Sequence, residues 1–299
     1  MNFSVEQVTF VLLLFSMTVI IALERWRPYT KGLPFFREGF WIDLVWYTLI
    51  QSYFLKIFIF DFLIRPVDQY FNWSSFHLIS AWPIALQVLF FLVTHDLYIY
   101  WFHRWQHKSK ILWRIHEAHH SVKEVDWIAG SRSHVFEIII NQTIEFAPII
   151  LLGADPAVVP IKALMDAVWG MYIHSNIDVR SGKWQYFING PEMHQLHHGQ
   201  GRQVFYSNYA TKFAFWDWMF GTAYLPKEKP KDFGLYYKYP KDYFLQHAFS
   251  FKRFDEDKLR ENKYWRFYLD LRFTLMRVLK NAFVFSSAKR KSELKSSLP

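Results

Sequence analysis

Thirteen histidines are present in the 299 residues, and eight of them fall into three short clusters. His103 and His107 stand four apart in Trp101-Phe-His-Arg-Trp-Gln-His107. His116, His119 and His120 make a His-x-x-His-His group, and His194, His197 and His198 repeat it. A lone His174 stands in Tyr-Ile-His-Ser-Asn. Residues at i, i+3 and i+4 share a helix face, with side-chain roots about 5–6 Å apart, so each cluster presents its imidazoles together. Eight clustered rings plus His174 suit two metal ions with four or five imidazoles each; a single ion would leave several rings idle. Imidazole binds iron, zinc, copper and nickel, so the donors alone leave the metal open. At this histidine frequency a His-x-x-His-His group arises by chance far less than once per chain, and here there are two.

The rest of the composition narrows the chemistry. There is no cysteine, which excludes disulfides, thiolate zinc sites, iron–sulfur clusters and cysteine nucleophiles. Neither Gly-x-Gly-x-x-Gly nor Cys-x-x-Cys-His occurs, so the sequence marks neither a dinucleotide fold nor covalent haem. The paired Glu-x-x-His signature of soluble carboxylate di-iron bundles is also missing, only Glu117-x-x-His120 fitting it.

The runs His95-Asp-Leu-Tyr-Ile-Tyr-Trp-Phe-His-Arg-Trp-Gln-His107, His116-Glu-Ala-His-His-Ser121 and His194-Gln-Leu-His-His-Gly199 resemble the sterol desaturase/fatty acid hydroxylase superfamily. So do Asn208-Tyr-Ala and the closing Trp216-Asp-Trp-Met-Phe-Gly-Thr222, which is similar to the ending of alkylglycerol ether monooxygenases. The likeness covers about 91–222. It implies a helical membrane domain, two iron ions, O2 as co-substrate, a lipid substrate, and a separate electron donor such as a ferredoxin, cytochrome or reductase. The implied reaction is hydroxylation or desaturation of a lipid C–H bond. The implied ligands are His103, His107, His116, His119, His120, His174, His194, His197 and His198, with zinc able to substitute in purified protein. Where some relatives carry a further histidine one turn before His174, this chain has Gly170; water or Asn176 would complete coordination there. His95 and His134 stay undecided between ligation and structure, while His77 and His247 read as ordinary surface histidines. Asp96, Glu117, Asp178 and Asp217 are candidates to orient ligand rings through the distal nitrogen.

These groups need elements to carry them. Apolar residues make up 52% and aromatics 21% of the chain, yet the mean hydropathy is −0.02, so greasy and charged stretches alternate. Phe3–Leu23, Phe40–Ile64 and Trp82–Phe102 approach the ~20 residues of a membrane-crossing helix. A weaker pair, Val135–Leu152 and Pro156–Ile173, reads as a hairpin that spans or dips in. The first segment lacks a basic lead and a small-residue cleavage site, so a removable signal peptide is not expected. The expected fold is all-α: an integral-membrane bundle of four to five hydrophobic helices with a cytosolic helical cap carrying the histidine boxes. Three regions are expected: 1–80 with the first membrane helices, 81–225 as the catalytic domain, and 226–299 as a basic cytosolic tail.

Basic residues set the expected orientation. Arg25, Arg27, Lys31 and Arg37 follow the first span, and Arg104, Lys108, Lys110 and Arg114 follow the third, which puts both loops and the C-terminus in the cytosol. Lys162 and Asp166, four apart in apolar surroundings, can pair on one helix face. The net charge of +9 comes from the last quarter of the chain, where Asp257–Phe285 reads as an amphipathic helix. Attraction to anionic lipid is the reading taken there, without a nucleic-acid partner. The competing functions are a metal transporter and a zinc-dependent membrane hydrolase. Ligands beyond helix ends speak against the first, and nine imidazoles exceed what the second needs.

Overall fold

The computed structural model describes residues 3–268 together with 270, 271 and 274. Among the described residues every regular element is helical, and extended pairing is limited to two isolated bridges, Pro28 with Ile177 and Gly199 with Phe233. The chain divides into two compact units, Met1–Tyr239 and the part from Pro240 onward.

Five hydrophobic helices build the first unit: α1 (Val5–Trp26), α2 (Ile42–Phe71), α3 (Ile84–Lys108), then, after the short α4 (Lys110–His116), α5 (Val135–Leu151) and α6 (Val158–His174). The first three are long and apolar enough to cross a membrane. Both α5 and α6 have 17 residues, the short end of what can span. Ser4 and Gln7 close a reciprocal cap on α1. Its outer face leaves Phe10, Val11 and Phe15 exposed, while Ile20 and Glu24 turn inward. Apolar surface of that extent on a lone helix is the mark of a lipid-facing element.

Helix α2 runs seven residues past the expected end at Ile64 and contains two wide, π-type stretches, Ile42–Gln51 and Phe58–Ile64. The hydroxyls of Thr48 and Ser52 bond carbonyls five residues back, on Asp43 and Tyr47, at 2.8 and 3.1 Å. Asn72, in the left-handed region at φ 53°, ends the helix. Helix α3 continues to Lys108, so His103 and His107 stand inside its last turns rather than at its edge.

Packing of Leu55, Ile59, Phe91, Leu92, Phe146 and Ile149 joins α2, α3 and α5. Between α3, α5 and α6 lies a buried ionic cluster. The Lys162 ammonium meets Asp166 at 2.5 Å, Glu145 at 2.9 Å and His95 Nδ1 at 3.2 Å. The pairing expected of Lys162 and Asp166 forms, and Lys212 joins it at 2.8 Å from Asp166. In the second unit, Asp242 caps α10 (Tyr243–Phe251) by accepting from the Leu245 amide. The amphipathic helix expected from Asp257 is interrupted: α11 (Glu256–Leu259) ends in a turn, and helical backbone resumes at 263–268. Most of its remainder, from residue 275, lies outside the described residues.

Candidate metal centre

All nine expected rings converge, and they sort into two sets. His103, His107, His116, His120 and His197 bring one nitrogen each within 4.8 Å of one another, and His119, His174, His194 and His198 do the same. All nine are buried. The sorting follows the spacing. In each His-x-x-His-His box the i and i+4 rings enter the same set and the i+3 ring enters the other. Geometry at the boxes departs from one continuous helical turn. Helix α4 ends at His116 and a tight 3-10 turn carries His119 and His120, whereas α7 (Pro191–His197) carries His194 and His197, with His198 as its C-cap.

The outward nitrogens are held by acceptors from distant parts of the chain. His103 Nδ1 donates to the Tyr209 carbonyl at 2.8 Å, and His197 Nδ1 to that of Ser207 at 2.7 Å. His174 Nδ1 donates to Gly170 at 2.7 Å and His119 Nδ1 to Arg132 at 3.2 Å. A carbonyl has no proton to give, so each of these rings carries its proton on Nδ1 and turns a bare Nε2 lone pair inward. His116 Nδ1 meets the Glu137 carboxylate at 2.8 Å, with the same consequence. The Nε2 atoms of His119 and His174 are then 3.2 Å apart with neither able to donate. Two facing lone pairs in a buried site call for a cation between them. Nitrogens bound at roughly 2.0–2.1 Å to one ion stand about 3 Å apart, and the Nε2 contacts here run from 2.8 to 3.2 Å. Nε2 of His103 and of His197 and both nitrogens of His107 are buried without a hydrogen-bond partner among the described residues. The residues fit a metal pair.

Electrostatics point the same way. Burial first, and the neighbouring imidazoles second, hold His119, His120, His194 and His198 well below the ordinary imidazole range. Burial pushes His197 down to about 3. Neutral rings are the form that binds a metal.

Two carboxylates hold the loop that supplies the carbonyls. Asp217, on α9 (Phe215–Met219), accepts from the Tyr209 and Ala210 amides at 2.8 and 2.9 Å and from the Thr222 hydroxyl at 2.7 Å. Asp96 accepts from the Thr211 hydroxyl, the Lys212 and Phe213 amides and the Trp216 indole. Asn208, at φ 55°, bonds Tyr224 and the Met193 carbonyl. These contacts give the closing motif its structural role.

Of the carboxylates expected to orient ligand rings, none does so directly. Asp96 and Asp217 act one step away through backbone, Glu117 accepts from the Tyr237 hydroxyl, and Asp178 pairs with Lys229. The direct partner is Glu137, which sequence spacing did not mark. Asn176 is also engaged elsewhere: its side chain brackets Thr30, which removes it as a supplementary ligand. His95 belongs to the ionic cluster, where the Lys162 ammonium stands among the same three groups, His95, Glu145 and Asp166, that could otherwise hold an ion. His134 caps α5 by accepting from the Phe136 amide. Residues 227–237 cross the boxes as a strap, with Gln200 bonded to Asp232 and Phe233.

Residues 88–222 match the family described as fatty acid hydroxylase. The chain is 28% identical to an ornithine lipid hydroxylase of Rhizobium tropici over 81% of its own length and 75% of that protein's. It is 31% identical to the human alkylglycerol monooxygenase over 45% of its length, and 31% identical to methylsterol monooxygenase 1 of Rattus norvegicus over 46%. These two matches take in only 30% and 48% of the relatives' own lengths. No solved structure matches the chain.

Proposed function

Because residues 88–222 match the fatty acid hydroxylase family, we propose that this chain belongs to the sterol desaturase/fatty acid hydroxylase superfamily and is a membrane-embedded, O2-dependent lipid hydroxylase whose nine histidines hold two iron ions. The observation that carries the metal assignment is the facing pair of bare nitrogens on His119 and His174. When bound, such an iron pair supplies the oxidising power to break an unactivated C–H bond, which side chains alone lack. The protein's part is positional. Carbonyls of Tyr209, Ser207, Gly170 and Arg132 and the Glu137 carboxylate fix ring tautomer and direction, and burial keeps the rings neutral and bulk water out. Hydroxylation is favoured over desaturation because the relative matched over most of both chains is a hydroxylase. Electrons come from a separate carrier.

Three contacts support a topology in which the loops after α1, α3 and α6 share one side, taken as cytosolic. The Tyr29 amide bonds the Asn176 carbonyl at 2.9 Å, Arg37 pairs with Asp126 at 2.7 Å, and the Trp127 amide bonds Glu24 at 2.8 Å. Full spans by α5 and α6 satisfy this parity. The test is lipid mass spectrometry of cells with and without the chain, where a gain of one oxygen on a lipid is expected. Alanine at His107, His119 or His197 should abolish that product while the protein still inserts, and His247→Ala should leave it unchanged. An unchanged lipid profile in a strain making iron-loaded protein would reject the hydroxylase reading.

A further inference from the structure

Two half-buried aromatic rings pack against the five-histidine set. Phe205, at the end of α8 (Arg202–Phe205), meets the His107 ring at 4.5 Å between centroids, and Trp113 of α4 meets His107 at 5.3 Å and His120 at 5.4 Å. The two touch each other at 4.7 Å, and Phe205 touches Tyr206, 46% exposed, at 4.9 Å. An exposed ring is thus joined to a ligand ring by two contacts.

The two chain segments that carry these rings are basic. Between Arg104 and His116 there are four basic residues, counting Arg104, and no acidic one; between Gln200 and Thr211 there is Arg202 and again no acid. Lys108, Lys110 and Arg202 are exposed and form no ion pair among the described residues. Ile111, 81% exposed, adds an apolar side chain to the first of these segments.

We propose that this face docks a small acidic one-electron carrier, with Phe205 and Trp113 lying on the path to the five-histidine set. The proposal rests on the oxygenase reading. Placing one atom of O2 in a C–H bond and reducing the other to water takes two electrons and two protons beyond those of the substrate. Each docking event oxidises one carrier by one electron, so two events serve each turnover. Opposite charge at a rim raises association rates and makes them salt-dependent. A purely lipid-facing patch would have no use for a ring path to the ligands.

The test uses the full chain in zwitterionic nanodiscs, loaded with ferric iron, and a reduced plant-type [2Fe–2S] ferredoxin as the acidic probe. The variant is Lys108→Glu/Lys110→Glu/Arg202→Glu. Anaerobic ferredoxin-driven reduction at low salt should slow by about tenfold or more and lose its salt dependence, while reduction by dithionite and iron content stay unchanged. Ferredoxin binding to the metal-free chain should weaken in parallel. Equal ferredoxin rates in both proteins would overturn the proposal, as would a loss shared by dithionite. So would an effect confined to nanodiscs of anionic lipid, which would make the patch a lipid contact. If dithionite finds no reducible metal, the oxygenase reading fails, and binding to the metal-free chain still decides the docking face.

Discussion

At the scale of single residues, the centre depends on groups that are not ligands. Glu137 Oε1 accepts from both His116 Nδ1 and Gln106 Nε2 at 2.8 Å, so it fixes the ring and raises its basicity. Glu137→Gln keeps the shape and removes the charge. A loss of about 10–100-fold in metal affinity is expected, read by competition with a chelator. Gly130 acts by what it lacks: a Cβ there would come within 2.4 Å of His174 Nδ1 and 2.7 Å of Cε1. Gly130→Ala should therefore push the His174 ring aside and lower bound iron below two per chain, with helical content by circular dichroism unchanged. Full iron occupancy in that variant would show that the ring has room to move. Eight of the nine rings were legible in the sequence because i, i+3 and i+4 spacing is local, whereas His174 stands alone and was legible through the family resemblance. Their partners were not, because the carbonyls of Ser207 and Tyr209 and the carboxylate of Glu137 approach from other elements. Spacing along one helix has no access to that information, and the neighbouring carboxylates it suggested face elsewhere.

At the scale of elements, the short turn around Gly130 is pinned by a buried network. Asp43 accepts from Arg132 at 2.7 and 3.0 Å and from Arg37 at 2.7 Å, and Arg37 also meets Asp126 at 2.7 Å. Arg132 is the residue whose carbonyl holds His119, so the start of α2 and the four-histidine set are mechanically joined. Removing one member of such a network strands its partners as buried charges. Asp43→Ala should cost about 3–5 kcal/mol, measured as unfolding in detergent, and should release metal as well. A midpoint within error of the parent would place the charges in water. Element lengths were well read where the chain is apolar throughout, as in α1. Helix α2 runs past the apolar segment Phe40–Ile64 because Arg65, Pro66 and Asp68 end the apolar run without ending the helix, proline being tolerated in the first turn of a helical segment. The break after Leu259 is a turn that periodicity alone did not reveal.

At the scale of the whole molecule, reporters fused after Lys31 and Ser109 should report the cytosolic side and one after Asn72 the opposite side. The contacts between the loops after α1, α3 and α6 support a common side for Lys31 and Ser109, and the charge bias around α1 to α3 supports the cytosol as that side. An external signal at Ser109 would invert the scheme. The centre draws on residues from His103 to Tyr209, with Asp217 and Thr222 behind them. During synthesis the chain emerges from its N-terminal end, so in the proposed topology the hydrophobic helices α1, α2, α3, α5 and α6 are made, and can enter the bilayer, before the last box exists. A nascent chain that ends before His194 holds His103, His107, His116, His119, His120 and His174, but neither set is complete, and the carbonyl that aims His103 has not been made. On the proposed reading, metal acquisition is therefore a late event of biogenesis, open only to chains already in the membrane. A shortage of iron would leave inserted, helical and inactive protein rather than protein that fails to insert.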